Sequence, residues 1–179
     1  MTEKDLFTLA DDEWNMGNVK EAFKLFCKAA MQNDDSAQNN LGYFYDNGIG
    51  TKKDEDKALY WYKKAFRNGN IAAINNIATI YRDRGNNRRA FFWYKKAVDA
   101  GDKDALVEIG ERYYKGEGIK RDYKLAVECF RKAIKATAYH DICEDSQQKA
   151  MSLLGIAYSE GKGVKRSIAR SKMWIERAR

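Results

Sequence analysis

Proline is absent from all 179 residues, and histidine occurs once, at His140. Proline is the strongest helix breaker. Its absence, with no strand-type alternation of apolar and polar residues, points to an all-helical chain. A single histidine excludes chemistry that needs a histidine pair or a multi-histidine metal site. The cysteines, Cys27, Cys129 and Cys143, are odd in number, with neither short paired spacing nor neighbouring histidines, which argues against a disulfide framework and a metal site. No stretch approaches the roughly 20 apolar residues needed to cross a bilayer. The opening MTEKDLFTLADDEW carries acids among its apolar residues, unlike a secretory signal. These absences lead us to expect a cytoplasmic chain with reduced thiols, no membrane contact, no metal and no cofactor.

What is present is charge, small residues and aromatic rings. Hydrophobic residues make up 44% and charged residues 33%, enough for a core together with many exposed helix faces. Residues 1–110 hold 17 Lys+Arg and 17 Asp+Glu, whereas residues 111–179 hold 16 and 9, so the whole net charge of +7 falls in the last third. This excess suits an acidic partner, or in the alternative nucleic acid. Because the bases alternate with acids along amphipathic helices, solvated helix faces explain most of it.

The stretch Ser36 to Asn70 sets the frame for the rest. Small residues (Ala37, Gly42, Ala58, Ala65) and large ones (Leu41, Tyr45, Trp61, Tyr62) fall at helical spacing on either side of Asn47-Gly48-Ile49-Gly50, which reads as helix, turn, helix. The anchor Leu41-Gly42 with Tyr45 recurs as Leu9-Ala10 with Glu13, Ile77-Ala78 with Tyr81, Ile109-Gly110 with Tyr113, and Leu154-Gly155 with Tyr158. The second helix recurs from Ala22, Ala58, Ala90, Ala126 and Ser171. A Gly or Ala on one helix admits its neighbour closely, and the ring three or four residues on fills the gap beside it. Each hairpin alone would leave an apolar face in water, so the hairpins must stack.

Two connector lengths occur. Tyr45 to Ala58, Tyr113 to Ala126 and Tyr158 to Ser171 carry four more residues than the other two, and read NGIG, KGEG and EGKG, with glycine where a helix stops and the chain reverses. Between Ala133 and Gly155 nine residues are inserted; the segment from Ala136 to Asp145 contains His140 and is expected to extend the flanking helices around a loop.

The pattern LGxxYxxGxGxxxDxxKAxxWYxKA over residues 41–65 resembles the Sel-one-like repeat, a relative of the tetratricopeptide repeat with a longer loop. The second, fourth and fifth repeats have that loop; the first and third have the shorter, tetratricopeptide-like one. The resemblance implies a right-handed α–α superhelix of about five helix-turn-helix repeats in a single domain. Their expected bounds are about 4–34, 35–70, 71–102, 103–136 and 145–179.

Enzyme chemistry has little to stand on. A Cys–His mechanism would have to pair His140 with Cys143. The GxG connectors lack the strand that precedes a phosphate loop. Asp54-Glu55-Asp56 is expected to cap a helix rather than bind a cation. Surface recognition remains. The resemblance places the first helices on a concave face, with candidate contacts at Phe7, Asp11 and Trp14; Asn39, Tyr43 and Asp46; Asn75, Thr79 and Arg82; Glu111, Tyr114 and Lys115; and Ser152, Ile156 and Ser159. Tyr43 and Tyr114 stand out because neither holds the repeating core position, although packing between repeats would explain them equally. Trp14 also fits as a replacement for the tyrosine missing at Glu13. The expected function is non-catalytic binding of a protein or peptide partner, with the basic last third favouring an acidic one, as an adaptor or scaffold. A bacterial immunity protein against a cognate toxin is an alternative. Oligomeric state is left open.

Overall fold

The computed structural model describes residues 5–136 and 143–179. Among them ten helices follow one another: α1 (Leu6–Asn15), α2 (Val19–Met31), α3 (Asp35–Asn47), α4 (Glu55–Arg67), α5 (Ala73–Asp83), α6 (Asn87–Asp99), α7 (Ala105–Lys115), α8 (Tyr123–Ala136), α9 (Glu144–Glu160) and α10 (Ile168–Arg177). The odd-numbered helices are the first helices of five hairpins and the even-numbered ones the second. The chain divides into two compact units, Met1–Ile80 and Tyr81–Arg179, with the division inside α5. His140 and most of the inserted segment lie outside the described residues.

Helix starts follow the local sequence. The carboxylates of Asp5, Asp34 and Asp54 accept from the backbone N–H groups of Thr8, Ala37 and Lys57, and the Ser167 hydroxyl accepts from Arg170. Asp54 is thus the cap its position promised. Each connector is then pinned by the same bond. The backbone N–H of Asn18, Asp54, Asn86, Asp122 and Ser167 donates to the carbonyl of Glu13, Tyr45, Tyr81, Tyr113 and Tyr158, at 2.8–2.9 Å. Short and long connectors return to the same carbonyl, so four extra residues change the loop without moving the second helix.

Within the hairpins the small anchors carry the packing. A Cβ on Gly42 would meet Tyr62 at 2.6 Å, one on Gly110 would meet Phe130 at 2.5 Å, and one on Gly155 would meet Ile175 at 2.7 Å. Tyr62 and Phe130 are fully buried there. The ring filling the gap therefore comes from the second helix. The tyrosine three residues after the anchor, expected in that role, instead leans on the second helix of the preceding repeat: Tyr45 lies 5.4 Å from Phe23 and Tyr113 5.4 Å from Phe91. An i+3 side chain is displaced around the helix from the anchor, toward the neighbouring hairpin.

The paired glycines of the long connectors do different jobs. Gly48, Gly116 and Gly161 end their helices in the left-handed conformation, at φ 70°, 79° and 71°. Gly50, Gly118 and Gly163 also have positive φ, but their Cβ positions fall 2.4, 2.2 and 2.1 Å from the carbonyl oxygens of Val19, Asn87 and Tyr123. Those carbonyls open the second helix of the preceding repeat, so the second glycine seats one repeat against the last.

This seating is testable. Gly85, at φ 71°, has nothing within 4 Å of its Cβ position, so G85A carries only the left-handed penalty of about 1–2 kcal/mol. G118A adds collision with backbone and is expected to cost roughly 3 kcal/mol or more. Urea unfolding of both variants measures the gap.

Candidate functional site

In the unit Met1–Ile80 the candidates on the first helices pair sideways with their neighbours. The Trp14 ring sits 6.2 Å from Phe26, 5.1 Å from Phe44 and 5.8 Å from Tyr43. Trp14 thereby fills the core beside Glu13, whose carboxylate accepts from the Asn18 amide at 2.8 Å. Phe7 packs edge-on against Phe26 at 5.9 Å. Tyr43 keeps 40% of its surface exposed over Trp14. Asp11 accepts from Asn15, and Asn39 accepts from Asn76 on the next first helix at 3.0 Å. Asp46, Asn75 and Thr79 are half-buried.

One residue here escaped the sequence reading. Gln38 is fully buried; its amide donates to the Ala30 carbonyl at 3.0 Å and its oxygen accepts from Asn68 at 2.9 Å. It ties three helices together, as a buried amide must when its partners are protein groups.

In the unit Tyr81–Arg179 the candidates Arg82, Glu111 and Lys115 belong to one charged network around Tyr94, a ring only 3% exposed. Arg82 pairs with Asp83 at 2.8 Å and reaches the Tyr94 hydroxyl at 3.4 Å. Arg112 stacks on the Tyr94 ring, its Cζ 4.5 Å from the centroid, and holds Glu108 at 3.1 Å. Lys149 of α9 bridges Glu108 at 2.8 Å and Glu111 at 2.5 Å, and Lys115 closes on Glu111 at 3.2 Å. Burial alone would raise the Glu111 carboxyl, but its bonds from Lys149 and Lys115 outweigh that and hold it below the usual glutamate range. Lys149 moves the other way: burial pushes it down, and its two glutamates bring it above the ordinary lysine value.

Glu108, Arg112 and Lys149 were not singled out from sequence. Arg112 left a trace, because two residues after the anchor the other repeats have Asp12, Phe44, Ile80 and Ala157, and all but the first are buried and apolar. Lys149 left none: it takes the place of Ser36 in the second repeat, and an exposed lysine there gives no sign of the two glutamates it bridges.

Tyr114 is engaged on every side. Its hydroxyl donates to Glu160, its ring lies 5.1 Å from Tyr123, and the Lys162 ammonium sits over both rings at 5.6 and 5.4 Å. Burial first, and then Glu160, push its hydroxyl above the ordinary tyrosine value. Ile156 is 41% exposed, Ser152 is half-buried, and the Ser159 hydroxyl donates to the Ile156 carbonyl.

The thiols are free. Burial pushes the Cys129 thiol up to about 11, the direction opposite to nucleophile activation. Cys143 contacts the Ser146 hydroxyl at 3.1 Å. No described helix is long and apolar enough to cross a membrane.

A family model described as Sel1 repeat matches residues 17–34, 35–70, 74–102, 103–137 and 148–179. The chain is 29% identical over 130 residues to a putative Sel1-like repeat-containing protein of Acanthamoeba polyphaga mimivirus, covering 72% of this chain and 22% of that protein. It is 28% identical over 112 residues to an ERAD-associated E3 ubiquitin-protein ligase component of Arabidopsis thaliana, covering 62% and 18%. Among solved structures, a protective antigen of uropathogenic Escherichia coli with an SLR fold superposes at a TM-score of 0.79, with 27% identity over 97% of this chain and 37% of that one. The chain thus spans about a fifth of the length of these two curated relatives.

The ion pairs set a pH dependence. A carboxyl held low in the fold stabilises it above the usual glutamate range, and that gain is lost as pH falls through that range toward the lowered value. E111Q is expected to melt below the parent at pH 7, with the difference shrinking as pH falls below the usual glutamate range and the parent's Glu111 protonates. Calorimetry across that range gives the two curves.

Proposed function

We infer that this chain, which belongs to the Sel1 repeat family, is a protein-interaction module that uses the first-helix sides of its hairpins, expected to be concave, to bind a protein or peptide. The observation that carries this reading is the sideways pairing of side chains between successive first helices. Trp14 with Tyr43, Asn39 with Asn76, and Glu108 and Glu111 with Lys149 form rows that stay partly open to solvent. Side chains held by neighbours at one edge lose less freedom when a partner covers the other, the pre-organisation that favours recognition. Tyr43 adds an amphipathic ring of the kind interfaces favour.

Relatives support the class of function. One is a component of a ubiquitin-protein ligase, hence part of a protein assembly. Its own activity belongs to a much longer chain. Part of the basic excess of the last third is engaged, Lys115 with Glu111, Lys132 with Glu128 and Lys162 with Glu160. Such paired lysines make a mixed-charge surface that suits a protein partner better than a phosphate backbone.

The test is affinity capture from the native source with the parent chain and with surface variants in each unit, Y43S in one and R82A with K115A in the other. All three positions are exposed, so circular dichroism should be unchanged. A specific partner recovered by the parent is expected to fall at least tenfold with one or both variants. Equal recovery would move the binding surface off the first helices.

A further inference from the structure

Arg112 is buried with half of its guanidinium unused. Its side chain is 2% exposed, at a position where the second and third repeats bury Phe44 and Ile80. Nη1 donates to the Glu108 carbonyl at 3.2 Å and to its carboxylate at 3.1 Å. Among the described residues Nε and Nη2 have no hydrogen-bond partner. A guanidinium does not shed its charge on burial, so both N–H groups face a low-dielectric surround with nothing to accept them.

The identity of the two idle nitrogens says what is missing. Nε and Nη2 lie on one edge of the guanidinium with parallel N–H bonds, the fork that takes the two oxygens of a carboxylate side-on. Stacking on Tyr94 at 4.5 Å fixes the plane of that fork.

Lys149 is the solvent-facing end of the same network. It is the most exposed member of the chain Lys149–Glu108–Arg112, at 44% against 21% and 2%, and it holds the Glu108 oxygen that Arg112 does not. A flexible ammonium can swing outward and serve as second counter-ion to an incoming anion.

We propose that Arg112 is a docking point for a carboxylate of the partner, an acidic side chain or a chain terminus, seated edge-on against Nε and Nη2. This rests on the protein-binding reading and names the chemistry that this part of the surface selects. It predicts a partner segment with an acidic anchor, for which neutral amide analogues are poor substitutes.

The test uses small carboxylates, so it does not depend on finding the partner. In the nitrogen-15-labelled full chain, the Arg112 Nε–H resonance is assigned by its loss in R112K. It is then followed during titration with N-acetyl-glutamate α-amide, N-acetyl-alanine, N-acetyl-glutamine α-amide and inorganic phosphate. A saturable downfield shift is expected from one of the two carboxylates below about 100 mM, ample for a millimolar site, with none from the glutamine amide. Whichever carboxylate saturates first identifies a side chain or a terminus as the source. Tyr94 ring signals report the same event, and they should stop responding in R112K and in R112M, which keep the stem and lose the fork. No saturable shift, an equal response to the glutamine amide, or tighter binding of phosphate would overturn the proposal. Failed capture with a positive titration would instead remove the protein-partner reading and leave the carboxylate site standing.

Discussion

Everything in this chain depends on how closely two helices of a hairpin can approach, and that distance is set by an absent methyl group. Where Gly42, Gly110 and Gly155 face Tyr62, Phe130 and Ile175, a single Cβ would intrude to 2.5–2.7 Å. The side chain of the second helix lies against the bare backbone of the first, and the two rings, Tyr62 and Phe130, are fully buried there. Ala10 and Ala78, at the same anchor position of the first and third repeats, are both fully buried. With the spacing fixed, the backbone of each second-helix start returns within hydrogen-bond reach of the carbonyl three residues past the anchor, and all five hairpins make that bond.

From this geometry the division of labour among the rings follows. A ring on the second helix is spent on its own hairpin, and the tyrosine of the first helix is spent on the preceding one. What is left over on the first helices points sideways, toward the next first helix. That is where the polar and aromatic pairs collect; the buried Arg112 keeps instead to the preceding hairpin, with the Tyr94 face beneath it and Glu108 at one end. Recognition in such a protein is written on what packing does not consume.

The repeat frame, the caps and the small anchors were legible because each depends on local chemistry: spacing at 3.6 residues, a carboxylate before a helix, a glycine where a Cβ is excluded. The tyrosine's target was misjudged because spacing along one helix does not say which neighbour lies beside it. The second glycine of the GxG connectors was read as part of a reversal, since its contact is with a carbonyl 31 to 40 residues earlier in the chain. Arg112 was visible as a charge in an apolar column of the repeat alignment, yet its meaning needed the positions of Tyr94 and Glu108. Lys149 stands in the column of Ser36 and Asp104, where a lysine looks like any solvated charge until its two glutamates are seen beside it.

The seat that each second glycine takes on the preceding repeat turns a loop into a coupling. Stacked repeats behave as a one-dimensional lattice in which stability passes between neighbours through their shared interface. A glycine resting on a carbonyl at the start of a helix is a contact that exists only when both repeats are folded. The pairs Gly50 with Val19, Gly118 with Asn87, and Gly163 with Tyr123 each fall inside one of the two compact units. The long connectors, more than the helices they join, thus set how far cooperativity travels along the chain: fraying that begins in one repeat costs its seated neighbour a backbone contact as well as an apolar face.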